Sequence, residues 1–301
     1  MRSHFHPNGP VPPYRFDGGS GARGVILAAP HAGRDYPPGF ADLLRVPAEK
    51  LLKLEDRYSD LMLREGSARG FATLIATAPR ALIDLNRPLS DFDFDMVEPD
   101  DAGQLAALNM KRARMPGARV RGGLGLVPRR LATSGELWKR RLSGAEIAER
   151  VRGIHMPYHD MLAETLDSMV ATVGSAILLD IHSMPPLPRR RASDGADIVI
   201  GDLHGTSADR AIVEALADVA AAYGLKVVRN NPYAGGHVLR RHGCPRLGRH
   251  AVQLEIDRRL YLDATLTHPG EGLSRIDHMV ADMAEAAETA LGGNGLAEAA
   301  E

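Results

Sequence analysis

The 301-residue chain is 44% hydrophobic and 25% charged, a balance that supplies a sizeable core and excludes a wholly disordered protein. A formal net charge of −1 gives no global field toward nucleic acid or anionic membrane, so charge-based recognition is local. Cys244, the single cysteine, excludes an internal disulfide framework and a zinc site built on several thiolates.

The opening residues lack the apolar core of a secretory signal, and no apolar stretch nears the roughly 20 residues that span a bilayer. The expectation is a cytoplasmic protein with a small-molecule partner and with neither nucleic acid nor membrane. An irregular leader over 1–22, one domain over 23–292 and a fraying tail over 293–301 are expected, because Pro and Gly crowd the first twenty residues and Gly, Ala and Glu the last.

Val25 to Ala29 reads as a buried strand that runs into Pro30-His31-Ala32-Gly33, which sets His31 at a strand's carboxyl end. From Pro47 to about Arg69, Leu51, Leu54, Tyr58, Leu61 and Met62 recur at three- and four-residue steps and predict an amphipathic helix carrying Asp56 and Asp60. Phe71 to Thr77 and Ala81 to Asp84 read as strand pieces, and the acidic stretch from Ser90 to Gln104 as a loop or lid.

Ser143-Gly144-Ala145-Glu146 has capping-box spacing, and the apolar periodicity after it predicts a long helix to about Val173. Ser175 to Ile181 and Asp197 to Gly201 are apolar strands ending in Asp180-Ile181-His182-Ser183 and Gly-Asp-Leu-His. Arg189, Arg190 and Arg191, after a run of prolines, read as a solvated loop. A helix over Ser207 to Tyr223, strands over Lys226 to Arg229 and Ala251 to Ile256, and a helix from about Ser274 to Leu291 complete the chain. Strands alternating with helices predict an α/β fold with a largely parallel or mixed sheet, in which sites gather at strand carboxyl ends.

A hydrolytic zinc site needs about three His or carboxylate ligands and one open position. His31 and His182 both follow buried strands, and Glu55-Asp56 offers an acidic third ligand, although most histidines serve structure rather than metal. Arg80, Asp84, Asn86 and Arg87 fall within one short segment whose guanidinium and amide groups suit a carboxylate, or whose Asp84 and Arg87 form a structural ion pair. Glu255 lies on an alternating strand with Gln253 and Asp257, either as a buried proton acceptor or on a solvated edge. The turn-rich Asn231-Pro232-Tyr233-Ala234-Gly235-Gly236-His237, with Arg240 beyond it, can close over a small ligand or simply form a surface turn. Arg119 to Arg129 is Gly-rich but lacks the Gly-Lys-Ser/Thr ending of a phosphate loop, so nucleotide binding is discounted while Arg129 stays a candidate for holding substrate.

Seven motifs occur in one order: Pro-His-Ala-Gly-Arg-Asp-Tyr-Pro at 30–37, Glu-Asp-Arg-Tyr-Ser-Asp at 55–60, Ile-Asp-Leu-Asn-Arg-Pro at 83–88, Asp-Ile-His-Ser-Met at 180–184, Gly-Asp-Leu-His-Gly-Thr-Ser at 201–207, Asn-Pro-Tyr-Ala-Gly-Gly at 231–236 and His-Ala-Val-Gln-Leu-Glu-Ile-Asp-Arg-Arg-Leu-Tyr at 250–261. In this set, spread over about residues 25–265, the chain resembles the N-formylglutamate amidohydrolase family, itself related in fold to zinc carboxypeptidases and aspartoacylases. The resemblance implies a three-layer α/β/α sandwich around a mixed, largely parallel sheet. It also implies that His31 and His182 bind zinc, that Asn86 and Arg87 hold a substrate carboxylate, that Arg80 polarises the scissile carbonyl and that Glu255 is the general base. Tyr233, His237, Arg129 and Arg240 are added as substrate-binding candidates.

The sequence departs from that pattern in two places. Arg34 stands where carboxypeptidase-like sites carry a glutamate three residues after the first histidine, so Asp56 is chosen as the third ligand, with Glu55 and Asp35 behind it. His237 stands where the closer family would carry tyrosine. The implied reaction is zinc-assisted hydrolysis of an N-acyl acidic amino acid, N-formyl-L-glutamate foremost, to formate and glutamate, as in one route of histidine breakdown. The rivals are a zinc peptidase or cell-wall amidase, and a non-catalytic acidic amino-acid binding protein on the same fold.

Overall fold

Every residue of β2 (Val25–Ala29) and β6 (Ala176–Met184) is buried, as near-continuous apolar runs should be when a sheet is covered on both faces. In the computed structural model, which describes residues 13–131, 134–187 and 195–298, they form the centre of a seven-stranded sheet. Its other strands are β1 (Tyr14–Asp17), β3 (Ala72–Ala76), β7 (Ile198–Gly201), β8 (Val227–Arg229) and β9 (Arg249–Asp257), in the order β1-β3-β2-β6-β9-β7-β8. A separate hairpin pairs β4 (Arg130–Leu131) with β5 (Gly135–Glu136). β2 runs parallel to β3 and β6, β6 parallel to β9, and β7 parallel to β8, while β7 lies antiparallel to β9. The sheet is therefore mixed and mostly parallel, with helices on both sides.

The chain forms two compact units. One is built from Arg15–Pro30, Asp56–Ile75 and the chain from Met161 onward, and so contains the sheet. Its helices are α1 (Arg64–Ala68), most of α4 (Met156–Val173), α5 (Arg210–Ala222), α6 (His237–His242) and α7 (Leu273–Glu298). α5 packs against α7, burying Ile212, Val213 and Leu216 on the one and Ile276, Met279, Val280 and Met283 on the other. The other unit comprises His31–Glu55, Ala76–Asp160 and the chain before Arg15, with α2 (Ala118–Arg121), α3 (Gly144–Arg150) and a series of 3₁₀ turns. Ser143 caps α3 reciprocally with Glu146: the Ser143 hydroxyl accepts from the Glu146 N–H and the Glu146 carboxylate from the Ser143 N–H. A π-turn, Val151–His155, carries α3 into α4. Among the described residues no helix is long and apolar enough to cross a membrane.

Four expectations change. The helix expected over 47–69 is two 3₁₀ turns, Ala48–Lys53 and Ser59–Leu63, followed by α1. It breaks at Glu55–Tyr58, where Tyr58 adopts φ 60° and the carboxylate of Asp56 is drawn into polar contacts that a regular helix would not reach. Ala81–Asp84 is a turn rather than a strand piece, because Asp84 folds back to accept from the Asn86 N–H and from Arg80. The acidic 90–104 region carries short 3₁₀ turns. Tyr14–Asp17 forms a strand inside the stretch where Pro and Gly disfavour regular structure. The Arg189–Arg191 loop lies outside the described residues.

Candidate active site

The parallel pairing of β6 with β9 sets His182 directly beside Glu255, with Asp180 beside Gln253 on the same face of the sheet. All four side chains are buried. β9 is flanked by β6 and β7, so the solvated-edge alternative for Glu255 does not apply. Gln253 donates its side-chain N–H to Glu255 Oε1 at 2.8 Å. His182 Nε2 meets Asp180 Oδ2 at 2.9 Å and its Nδ1 meets Asp56 Oδ2 at 3.1 Å. Burial opposes a charge on His182, yet Asp180, Asp56 and Glu255 together raise its pKa well above the ordinary imidazole value.

Asp56 is oriented from its other oxygen. Its Oδ1 accepts from Ser183 Oγ at 3.2 Å and from Arg258 Nη2 at 3.1 Å, and Arg258 Nε also donates to Ser183 Oγ at 3.0 Å. With Oδ1 held in this way, Oδ2 is the oxygen turned to His182. Glu55 instead accepts from the Tyr36 hydroxyl at 2.7 Å, and Asp35 is exposed. Asp60 pairs with Arg15 at 3.3 Å.

A second network centres on Asp84. Its Oδ1 faces His31 Nε2 at 2.8 Å and accepts the Asn86 N–H at 2.9 Å, while Oδ2 accepts from Arg80 Nε and Nη2, both at 2.8 Å. Burial pushes the Asp84 carboxyl up, but Arg80, His31 and Arg87 hold it well below the usual carboxylate range. Arg87 donates Nε to Leu124 O and Nη1 to Asn86 O, each at 3.2 Å, and its Nε is 3.9 Å from Asp84, so the ion-pair alternative describes a loose contact. Burial lowers the pKa of Arg87, with Asp84 acting in the opposite direction.

His31 stands two residues beyond the carboxyl end of β2. Asp56 and His182, both buried, bring a carboxylate oxygen and an imidazole nitrogen within 3.1 Å of each other, two donors that could help to hold a metal ion. Asp56→Asn is expected to weaken zinc binding far more than Asp60→Asn, since Asp60 serves an ion pair with Arg15. Zinc titration of both variants checks the order, and equal affinities would move the third ligand elsewhere.

Arg129 Nε pairs with Asp93 at 2.8 Å and its Nη1 with Glu136 at 3.0 Å. Tyr233 packs against the buried cluster of Met184, Ala196 and Val199, His237 opens α6, and Arg240 on that helix is exposed.

The N-formylglutamate amidohydrolase family model matches residues 23–262, four-fifths of the chain. The chain belongs to this family. N-formylglutamate deformylase from Pseudomonas putida is 31% identical over 245 residues, 80% of this chain and 82% of that one. Its counterpart from Pseudomonas aeruginosa is 28% identical over 243 residues, 79% of this chain and 82% of its own. Among solved structures, an N-formylglutamate amidohydrolase from Ralstonia eutropha superposes with a TM-score of 0.83 at 27% identity, covering 94% of this chain and all of the other.

Several polar residues of this family member were not assigned roles from sequence. Asp180, Ser183, Gln253 and Arg258 lie within the family motifs, but a carboxylate or hydroxyl that supports a ligand has no spacing rule of its own. Two-residue alternation was the available signal: it places Asp180 and His182 on one face of β6, and Gln253 and Glu255 on one face of β9.

Proposed function

We propose that the protein hydrolyses N-formyl-L-glutamate to formate and L-glutamate with the help of a zinc ion held by His31, Asp56 and His182. The observation that supports this reading is the pairing of buried Asp56 with His182 beside Glu255, in a chain whose relatives are named as deformylases of this substrate. The donor chemistry fits: two imidazoles and one carboxylate are a common catalytic zinc set, and each imidazole has Nε2 on a buried carboxylate. Asp84 and Asp180 would thereby fix both rings and leave Nδ1 as the ligating nitrogen. When bound, the metal supplies a Lewis acid that polarises the scissile carbonyl and acidifies water.

The chain's own groups account for the rest. Glu255 takes the proton from the attacking water and passes it to the departing amine. Arg80, aimed by Asp84, stabilises charge on the carbonyl oxygen as it develops. Asn86 and Arg87 hold a substrate carboxylate, with Arg129, Tyr233, His237 and Arg240 as further contacts to the substrate. The first test is formate release from N-formyl-L-glutamate by the zinc-loaded protein; absence of release at full zinc occupancy would overturn the reading.

Arg87→Lys separates the modes of carboxylate recognition. Lysine keeps the charge but loses the planar fork, so kcat/KM for N-formyl-L-glutamate is expected to drop at least about tenfold, or roughly 1.4 kcal/mol. If Arg87 grips the side-chain carboxylate, turnover of N-formyl-L-glutamine barely changes; if it grips the α-carboxylate, both substrates suffer alike. Unchanged kinetics with both would leave Arg87 as a structural residue.

A further inference from the structure

Two buried histidines stand behind the Asn86-Arg87 segment. His155 ends the π-turn, and His159 lies one helical turn later on α4, with their rings 4.5 Å apart. His155 Nε2 is 2.9 Å from Arg87 O, and His159 Nε2 is 2.9 Å from Leu85 O. A carbonyl oxygen can only accept, so both rings carry their proton on Nε2 in these contacts. The two bonds seize the carbonyls on either side of Asn86.

The same short segment is held from its other polar groups. The Asp84 N–H donates to Leu126 O at 2.7 Å, the Asn86 N–H to Asp84 Oδ1 at 2.9 Å, and the Arg87 N–H to Asp84 O at 3.2 Å. Several peptide groups of residues 84–87 are thus pinned, and the two histidines supply the side-chain donors to the Leu85 and Arg87 carbonyls. Burial makes the bonds costly to lose, because a buried carbonyl deprived of its donor has no water to replace it. The i, i+4 spacing puts both donors on one side of the helix.

We infer that His155 and His159 are positioning residues: as Nε2–H donors they fix the Leu85 and Arg87 carbonyls and thereby aim the Asn86 and Arg87 side chains at the substrate carboxylate. The inference rests on the reading of Asn86 and Arg87 as the carboxylate-binding pair.

The test pairs His155→Leu and His159→Leu with His155→Gln and His159→Gln, since a glutamine amide can reach the same carbonyl from the same helix position. The leucine variants are expected to raise KM for N-formyl-L-glutamate about tenfold or more with a smaller change in kcat, at unaltered zinc content, and the glutamine variants to recover most of that loss. Long-range proton–nitrogen spectra of the wild-type protein, which need no turnover, should show both rings as Nε2–H tautomers. Loss of kcat and KM together without rescue by glutamine, an unchanged KM in the leucine variants, or an Nδ1–H tautomer would overturn the inference. Failure of the underlying reading looks different: Asn86→Ala and Arg87→Lys would then leave KM unchanged while the tautomers remain as assigned.

Discussion

His182→Ala is expected to lose bound zinc and, with it, hydrolysis. Removing a residue that merely supports a ligand costs roughly 10- to 100-fold in metal affinity. In the proposed zinc site His182 is itself a ligand, through the nitrogen that faces Asp56, so its removal should exceed that range. Elemental analysis of the purified variant decides the matter, and full zinc occupancy would remove His182 from the site.

The metal-free protein adds a pH signature. His182 has a raised folded-state pKa, so its contribution to stability is fully present below the ordinary imidazole value and is lost as pH rises through the raised one. Denaturant titrations of metal-free wild type and His182→Ala should therefore differ most at the acidic end of that window and converge above it. At the low end the gap can reach about 3–5 kcal/mol, the cost of breaking a buried charge pair. Zinc must displace the same proton, so zinc affinity should rise with pH.

The sheet could be read from sequence because the strands are short apolar runs that stop at polar residues, which parallel strands buried on both faces require. That pattern put His31 and His182 at strand ends and Glu255 inside a strand. It failed over 47–69, where Leu51 to Leu54 and Tyr58 to Leu61 are three-residue steps that suit 3₁₀ turns, and the four-residue step between Leu54 and Tyr58 spans the break. Periodicity cannot report that Asp56 is needed by Ser183 and Arg258, residues more than 120 positions away. Asp84 shows the same limit. Its neighbours in sequence suggested an ion pair with Arg87, whereas its short contacts are to Arg80 and to His31, 53 residues away. A carboxylate's role is set by which cation or imidazole the fold delivers to it, and that delivery is tertiary.

Glu255→Gln should separate proton transfer from metal binding. Gln keeps the shape of the side chain, and its amide oxygen can still accept the Gln253 N–H now donated to Glu255 Oε1, so β9 and its packing should persist. What disappears is a group that can take up a proton beside His182, whose strand neighbour Glu255 is. General-base contributions are typically about 10²- to 10⁴-fold, which at 1.36 kcal/mol per decade is roughly 2.7–5.4 kcal/mol on the barrier. The loss should therefore fall on kcat, with KM for N-formyl-L-glutamate little changed and zinc content equal to wild type, because Glu255 is not among the proposed zinc ligands. Steady-state formate release and elemental analysis on the same preparation measure both quantities. A variant that retains wild-type kcat would assign the base elsewhere, and one that loses zinc along with activity would make Glu255 part of the metal site instead.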